Sequence, residues 1–151
     1  PVISALIDDK YQCSATVPGV VQCLQSGSKA LVWHGADDAM LSHKDTIRTW
    51  RQVTDAVLPE TAAAATRLYI APGVNHCSGG DGADSFDALG ALMEWVETGR
   101  GPGTLTAVKR DTKSGEVKFS RPLCQYPGWP RYRGKGDPAS ADSFECVAPG
   151  R

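Results

Sequence analysis

The chain has 151 residues, enough for one compact domain with a hydrophobic core. Its formal net charge of −1 gives no electrostatic basis for binding nucleic acid or an anionic membrane, and no apolar run approaches the roughly 20 residues of a membrane span. Five cysteines, with no CxxC pair and no histidines at finger spacing, read as disulfides of an oxidising compartment rather than a zinc site, and the odd number leaves one over.

The chain starts at Pro1 with neither a methionine nor a signal peptide, which sets the expectation of a processed chain or a piece of a longer one. Residues 1–28 form a poorly defined N-terminal segment. Val2-Ile-Ser-Ala-Leu-Ile7 fits a short helix or a strand equally well. Pro18-Gly19 is a turn signal able to bring Cys13 and Cys23 together; a bond from either to a segment outside this chain fits as well.

Order begins at Lys29-Ala-Leu-Val-Trp33, a run of successive apolar residues suited to a parallel strand buried on both faces. His34-Gly-Ala-Asp-Asp38 follows, and then a predicted helix. In that helix Ile47, Trp50, Val53 and Val57 share one face, Ser42 and Asp45 resemble a capping box, and Pro59 is the stop. The alanines at 62–65 read as a last turn or a linker. A second strand, residues 67–71, leads into the glycine-rich loop Ala71-Pro-Gly-Val-Asn-His-Cys-Ser-Gly-Gly80. A second helix is predicted from about Ser85 to Thr98, with Phe86, Leu89, Leu92, Trp95 and Val96 on one face and Gly99 as its stop. Strand, acidic loop, helix, strand, histidine loop, helix is the alternation of an α/β fold with a parallel sheet covered by helices. Beyond Gly101-Pro-Gly103, residues 105–108 and 117–119 read as a hairpin around Lys113-Ser-Gly115. The tail is rich in proline, glycine and aromatics, with Cys124 and Cys146 at its ends.

Asp38 and His76 each follow a buried strand, so both are expected at the same edge of the sheet. An aspartate placed there can accept the Nδ1 hydrogen bond of a histidine, fix its tautomer and stabilise the imidazolium formed during catalysis. Acid first and histidine later is the order of an α/β-hydrolase, whose nucleophile precedes both on a Gly-x-Ser-x-Gly elbow. No such elbow occurs in the chain. Ser78 lies in a loop two residues after His76, not at a strand-to-helix turn, so the nucleophile is expected elsewhere. Asp37 is a second carboxylate beside Asp38, read as solvated or part of a turn, with the role of triad acid in place of Asp38 as its other reading. His34 reads as a packing or hydrogen-bonding residue at a strand end, with a functional role as a second base as its other reading, and His43 as an exposed residue of the first helical turn. Trp50 and Trp95 are expected in the core. Trp129 and Tyr132 are expected to cover it, with stacking on an aromatic substrate as the other use for them.

Several of these segments together resemble the C-terminal part of the tannase and feruloyl esterase family. They are Trp33-His-Gly-Ala-Asp-Asp38, the loop from Ala71 to Gly80, Phe86-Asp87 with Leu92 and Trp95-Val-Glu97, and Arg121-Pro-Leu-Cys-Gln-Tyr-Pro127 ending at Phe144-Glu-Cys146. The resemblance runs from about Lys29 to Val147 and makes residues 29–151 the C-terminal part of an α/β-hydrolase catalytic domain. It implies parallel strands with covering helices, then a hairpin and a disulfide-stapled tail. The implied activity is hydrolysis of phenolic-acid esters by a serine, aspartate and histidine triad, with His76 as base and Asp38 as its partner. It also implies a Cys124–Cys146 disulfide, and a bond from Cys77 to a cysteine beside the nucleophile, outside this chain. The structural calcium of the family belongs to a lid domain with no counterpart here, so no cofactor is expected in this chain. The implied partners are a small phenolic ester and the upstream part of the same protein, in a secreted or periplasmic setting. Ala39 departs from the family, which usually has proline after its aspartate. The competing expectation is a non-catalytic, disulfide-stabilised module derived from an esterase; a Cys-Ser pair in a glycine-rich elbow upstream distinguishes the enzyme.

Overall fold

The computed structural model describes residues 16–150. The expectations for Val2 to Ile7 and for Cys13 lie outside them. Cys23 is disulfide-bonded.

Helix α1, Val17–Gln25, occupies the stretch read from sequence as a turn. Pro18 falls in the first helical turn, where its missing N–H costs nothing, and the Thr16 hydroxyl caps the Gly19 N–H. A proline–glycine pair there opens a helix instead of reversing the chain. Strand β1, Ala30–Gly35, runs parallel to β2, Thr66–Ala71, in a register that sets His34 beside Ile70 and Gly35 beside Ala71. Between them lie α2, His43–Asp55, and α3, Pro59–Ala65. Ser42 is the N-cap of α2, as expected. Asp45, however, bonds Arg48 at 2.6 Å and does not complete a capping box. Pro59 starts α3 in addition to following α2, and the alanine run forms that helix rather than a linker.

Helix α4 spans Ala88–Thr98, later than predicted, because Asp87 caps Gly90 and Ser85 is drawn into a β-bridge with Val108. It ends at Gly99. Trp95 on α4 is fully buried, with Arg67 4.8 Å and Lys29 5.8 Å from its ring centre. Leu89 and Val96, expected on the buried face, are open to solvent together with Met93. The antiparallel hairpin β3, Leu105–Arg110, and β4, Val117–Leu123, follows, closed by a turn in which the Asp111 carboxylate accepts from the N–H groups of Lys113 and Ser114.

The tail is more regular than its composition suggests. β5, Trp129–Tyr132, pairs antiparallel with β6, Phe144–Val147, which a short 3-10 turn at Ala141–Ser143 precedes. Cys124 and Cys146 are disulfide-bonded, with Cα atoms 5.6 Å apart. Trp129 is about half exposed, whereas Tyr132 packs edge-on against Phe144 and donates to the Gly136 carbonyl, so these two rings dress the tail.

Two apolar clusters hold these pieces. One joins Leu24, Val53, Val57 and Ala65 under α1, α2 and α3. The other joins Tyr69, Ala71, Val74, Ala83, Ala107 and Leu123, and Trp33 and Phe86, whose ring centres lie 5.2 Å apart, pack against it. The second cluster binds sheet, histidine loop and hairpin into one body. Among the described residues no helix is long and apolar enough to cross a membrane.

The disulfide closes a segment of 22 residues. Replacing both Cys124 and Cys146 with alanine is expected to lower unfolding free energy by about 3 kcal/mol, the loop-closure value for that length. Urea denaturation checks this through the midpoint at constant slope.

Candidate active site

The site is assembled where β1 and β2 end side by side. Because the strands are parallel and in register, the chain leaves both at the same edge, and the loops after Gly35 and Ala71 meet there. The Ala36 N–H bonds the Ala71 carbonyl at 2.9 Å, and the Asp37 N–H bonds the Val74 carbonyl at 3.0 Å. Contact this close depends on Gly35, since a Cβ at that position would land on the carbonyl groups of Val74 and Asn75. Gly80, at φ +76°, closes the loop by bridging back to Val74, and a Cβ there would strike the Gly73 carbonyl. Asp84 holds the loop from below. Its carboxylate accepts the Gly79 N–H at 2.6 Å and pairs with Lys109 of β3 at 3.1 Å, while Lys109 also bonds the Gly80 carbonyl. Burial opposes the charge on Asp84, yet the Gly79 N–H and the Lys109 ammonium outweigh it and leave the carboxyl below its ordinary value.

On this frame Asp38 and His76 meet. His76 Nδ1 donates to Asp38 Oδ2 at 2.6 Å, which leaves Nε2 of the neutral ring as a base. The Asp38 side chain is 1% exposed and that of His76 54% exposed, so the carboxylate is enclosed while the imidazole faces outward. Among the described residues nothing hydrogen-bonds His76 Nε2. Asp38 Oδ1 accepts the N–H groups of Met40 at 2.8 Å and Leu41 at 3.0 Å. The Leu41 N–H and then His76 hold the Asp38 carboxyl well below its usual range, with Met40 adding to them and desolvation working the other way.

The remaining candidates separate cleanly. Asp37 is exposed and makes no side-chain bond to His76, so Asp38 is the carboxylate at the imidazole. His43 is half-buried, not exposed; its Nδ1 donates to the Ala36 carbonyl at 2.9 Å and ties α2 to the acidic loop. Ser78 is exposed, and no hydrogen bond joins it to His76 among the described residues. Cys77 is an exposed free thiol in this chain. His34 holds a position that its sequence context did not specify. Its Nε2 lies 3.2 Å from Asp38 Oδ2, the oxygen that also receives His76. The spacing of His34 and Asp38 across a sharp strand-end turn was the available signal. Among the described residues no group of His, Cys, Asp and Glu is arranged to hold a metal ion.

Comparison with known proteins gives a consistent set of relatives. The model of the family described as tannase and feruloyl esterase matches residues 5–147. The chain is 41% identical over 134 residues to a probable feruloyl esterase of Arthroderma benhamiae, covering 86% of this chain and 25% of that protein. It is also 41% identical over 124 residues to the mono(2-hydroxyethyl) terephthalate hydrolase of Piscinibacter sakaiensis, covering 82% of this chain and 20% of that one. A crystal structure of an esterase from Aspergillus oryzae superimposes with a TM-score of 0.71 at 29% identity, over 82% of this chain and 28% of the other. The chain thus spans about a quarter of the length of these relatives.

The depressed Asp38 carboxyl has a testable sign. Its folded value lies below the unfolded value of about 3.9, so its contribution to stability is fully present above that pH and is lost as pH falls below it. Carboxyl 13C NMR is expected to show Asp38 titrating well below 3.8, and the difference in melting temperature between wild type and Asp38→Asn is expected to shrink as pH drops below about 4. A midpoint at or above 3.8 contradicts the geometry.

Proposed function

The chain belongs to the tannase and feruloyl esterase family, and on that premise we propose that it is the C-terminal part of an α/β-hydrolase domain, supplying the base and acid of a serine esterase triad. The observation that carries this reading is the His76–Asp38 bond, made by Nδ1 and leaving Nε2 open at an exposed sheet edge. His76 Nε2 takes the proton of an attacking serine hydroxyl and returns it to the leaving alcohol. Asp38 holds the imidazole in that tautomer and stabilises its charged form in the transition state. A water then repeats the cycle on the acyl-enzyme.

The serine lies in the upstream part of the same protein, outside this chain. Support comes from the lack of an elbow motif, from the position of Ser78, and from a chain that spans only a quarter of its relatives. Solvent-exposed Met40, Leu89 and Val96, with a parallel sheet of two strands among the described residues, fit a body that continues into that part. Cys77, an exposed thiol beside the base, joins a cysteine next to the nucleophile and so ties two catalytic loops together. The substrate is an ester of a phenolic or similar aromatic acid, the chemistry named for both curated relatives. The disulfides suit an extracellular or periplasmic protein.

In the full-length protein, His76→Ala is expected to lower kcat by about 10⁶-fold and Asp38→Asn by about 10⁴-fold on a phenolic ester. The isolated chain is expected to show no hydrolysis and one reactive thiol. Activity in the isolated chain that Ser78→Ala abolishes would assign the nucleophile to Ser78 instead.

A further inference from the structure

Asp38 is shared between two imidazoles, and only one of them faces outward. His34 lies in β1, one residue before the Gly35 contact, with 11% of its side chain exposed. Its Nε2 lies 3.2 Å from Asp38 Oδ2 and 3.1 Å from the Leu41 carbonyl oxygen, while Nδ1 lies 2.6 Å from the Thr46 hydroxyl on α2. The chemistry of these partners fixes the proton. A carbonyl oxygen and an ionised carboxylate only accept, so Nε2 carries the hydrogen. Nδ1 of the neutral ring then accepts from the Thr46 hydroxyl, which can turn to donate.

We propose that His34 is a positioning residue for the dyad, holding the same Asp38 Oδ2 that His76 bonds and anchored in turn by Thr46. The proposal rests on the reading of Asp38 and His76 as triad members. The Asp38 carboxylate sits on a short turn between β1 and α2. The backbone N–H groups of Met40 and Leu41 hold Oδ1, and among the described residues His34 is the group other than His76 that holds Oδ2. With both oxygens held, the carboxyl plane cannot rotate, and the direction in which it presents Oδ2 to His76 is set before substrate arrives. The Leu41 carbonyl contact locks the same turn through the same imidazole hydrogen. Other titratable groups nearby are engaged elsewhere or turned outward: His43 with the Ala36 carbonyl, Asp45 with Arg48, and Asp37 toward solvent. His34 therefore works by geometry on Asp38 and touches no reacting atom.

The test uses the full-length protein with a phenolic ester, and compares His34→Leu, His34→Gln, Thr46→Val and Thr46→Ser. His34→Leu is expected to lower kcat on the order of tenfold or more with KM nearly unchanged, since supporting hydrogen bonds to active groups typically carry effects of that size. His34→Gln, whose amide can donate from the same place, is expected to restore most of the activity. Thr46→Val is expected to lower kcat by a few-fold, and Thr46→Ser to leave it intact. Nitrogen-15 NMR of the wild type is expected to show His34 with its proton on Nε2. The proposal is overturned if His34 carries its proton on Nδ1 alone, or if His34→Leu keeps wild-type kcat while His76→Ala is inactive. Should His34→Leu fail to fold, an unchanged kcat in Thr46→Val overturns it equally. Wild-type activity in His76→Ala sinks the parent reading instead, and the NMR result still reports on the clamp.

Discussion

The site depends on the close approach of two loops at the end of a parallel strand pair. Gly35 permits it, because any side chain there would occupy the place of the Val74 and Asn75 carbonyl groups. With those loops pressed together, backbone hydrogen bonds from Ala36 and Asp37 to Ala71 and Val74 set their separation, and the His76–Asp38 bond spans the gap. Sequence distance between the two residues is large, so the entropic cost of joining them is borne by the sheet register and the apolar cluster around Tyr69 and Val74, not by the bond itself.

Around that contact, each neighbouring element secures one side. The hairpin reaches under the histidine loop through Lys109 and Asp84. Helix α2 holds the acidic loop through His43 and steadies Asp38 through Thr46 and His34. The segment after α4 is fastened to β2, where Tyr69 donates to the carbonyls of Pro102 and Gly103 and Arg67 to that of Pro102. An enclosed carboxylate and an outward imidazole are the result, an arrangement suited to general-base work because the charged partner is shielded while Nε2 stays accessible.

Much of this was legible in the sequence because it follows from strong local rules. Short apolar runs, one bounded by Gly35 and one leading into the glycine-rich loop, marked the two strands, and their shared direction put Asp38 and His76 on one edge. The less legible parts are those in which tertiary context chose between local options. Pro18-Gly19 and Pro59 both carry turn or stop signals, yet each opens a helix, since proline suits a first turn as well as a break. Leu89 and Val96 follow a helical period but face solvent, because periodicity marks an apolar face without saying whether this chain covers it. The tail hairpin escaped notice because its strands are short and interrupted by Pro130, and its pairing is non-local. The roles of His34 and His43 are set by partners four to twelve residues away, across a turn whose shape composition does not encode.

Covalent labelling of the full-length protein with a fluorophosphonate, followed by mass spectrometric location of the adduct, tests the central claim most directly, because the reagent reacts with a serine only when a base activates it. The account predicts one adduct, on a serine outside this chain, lost in His76→Ala. An adduct on Ser78, or labelling that persists without His76, would contradict it.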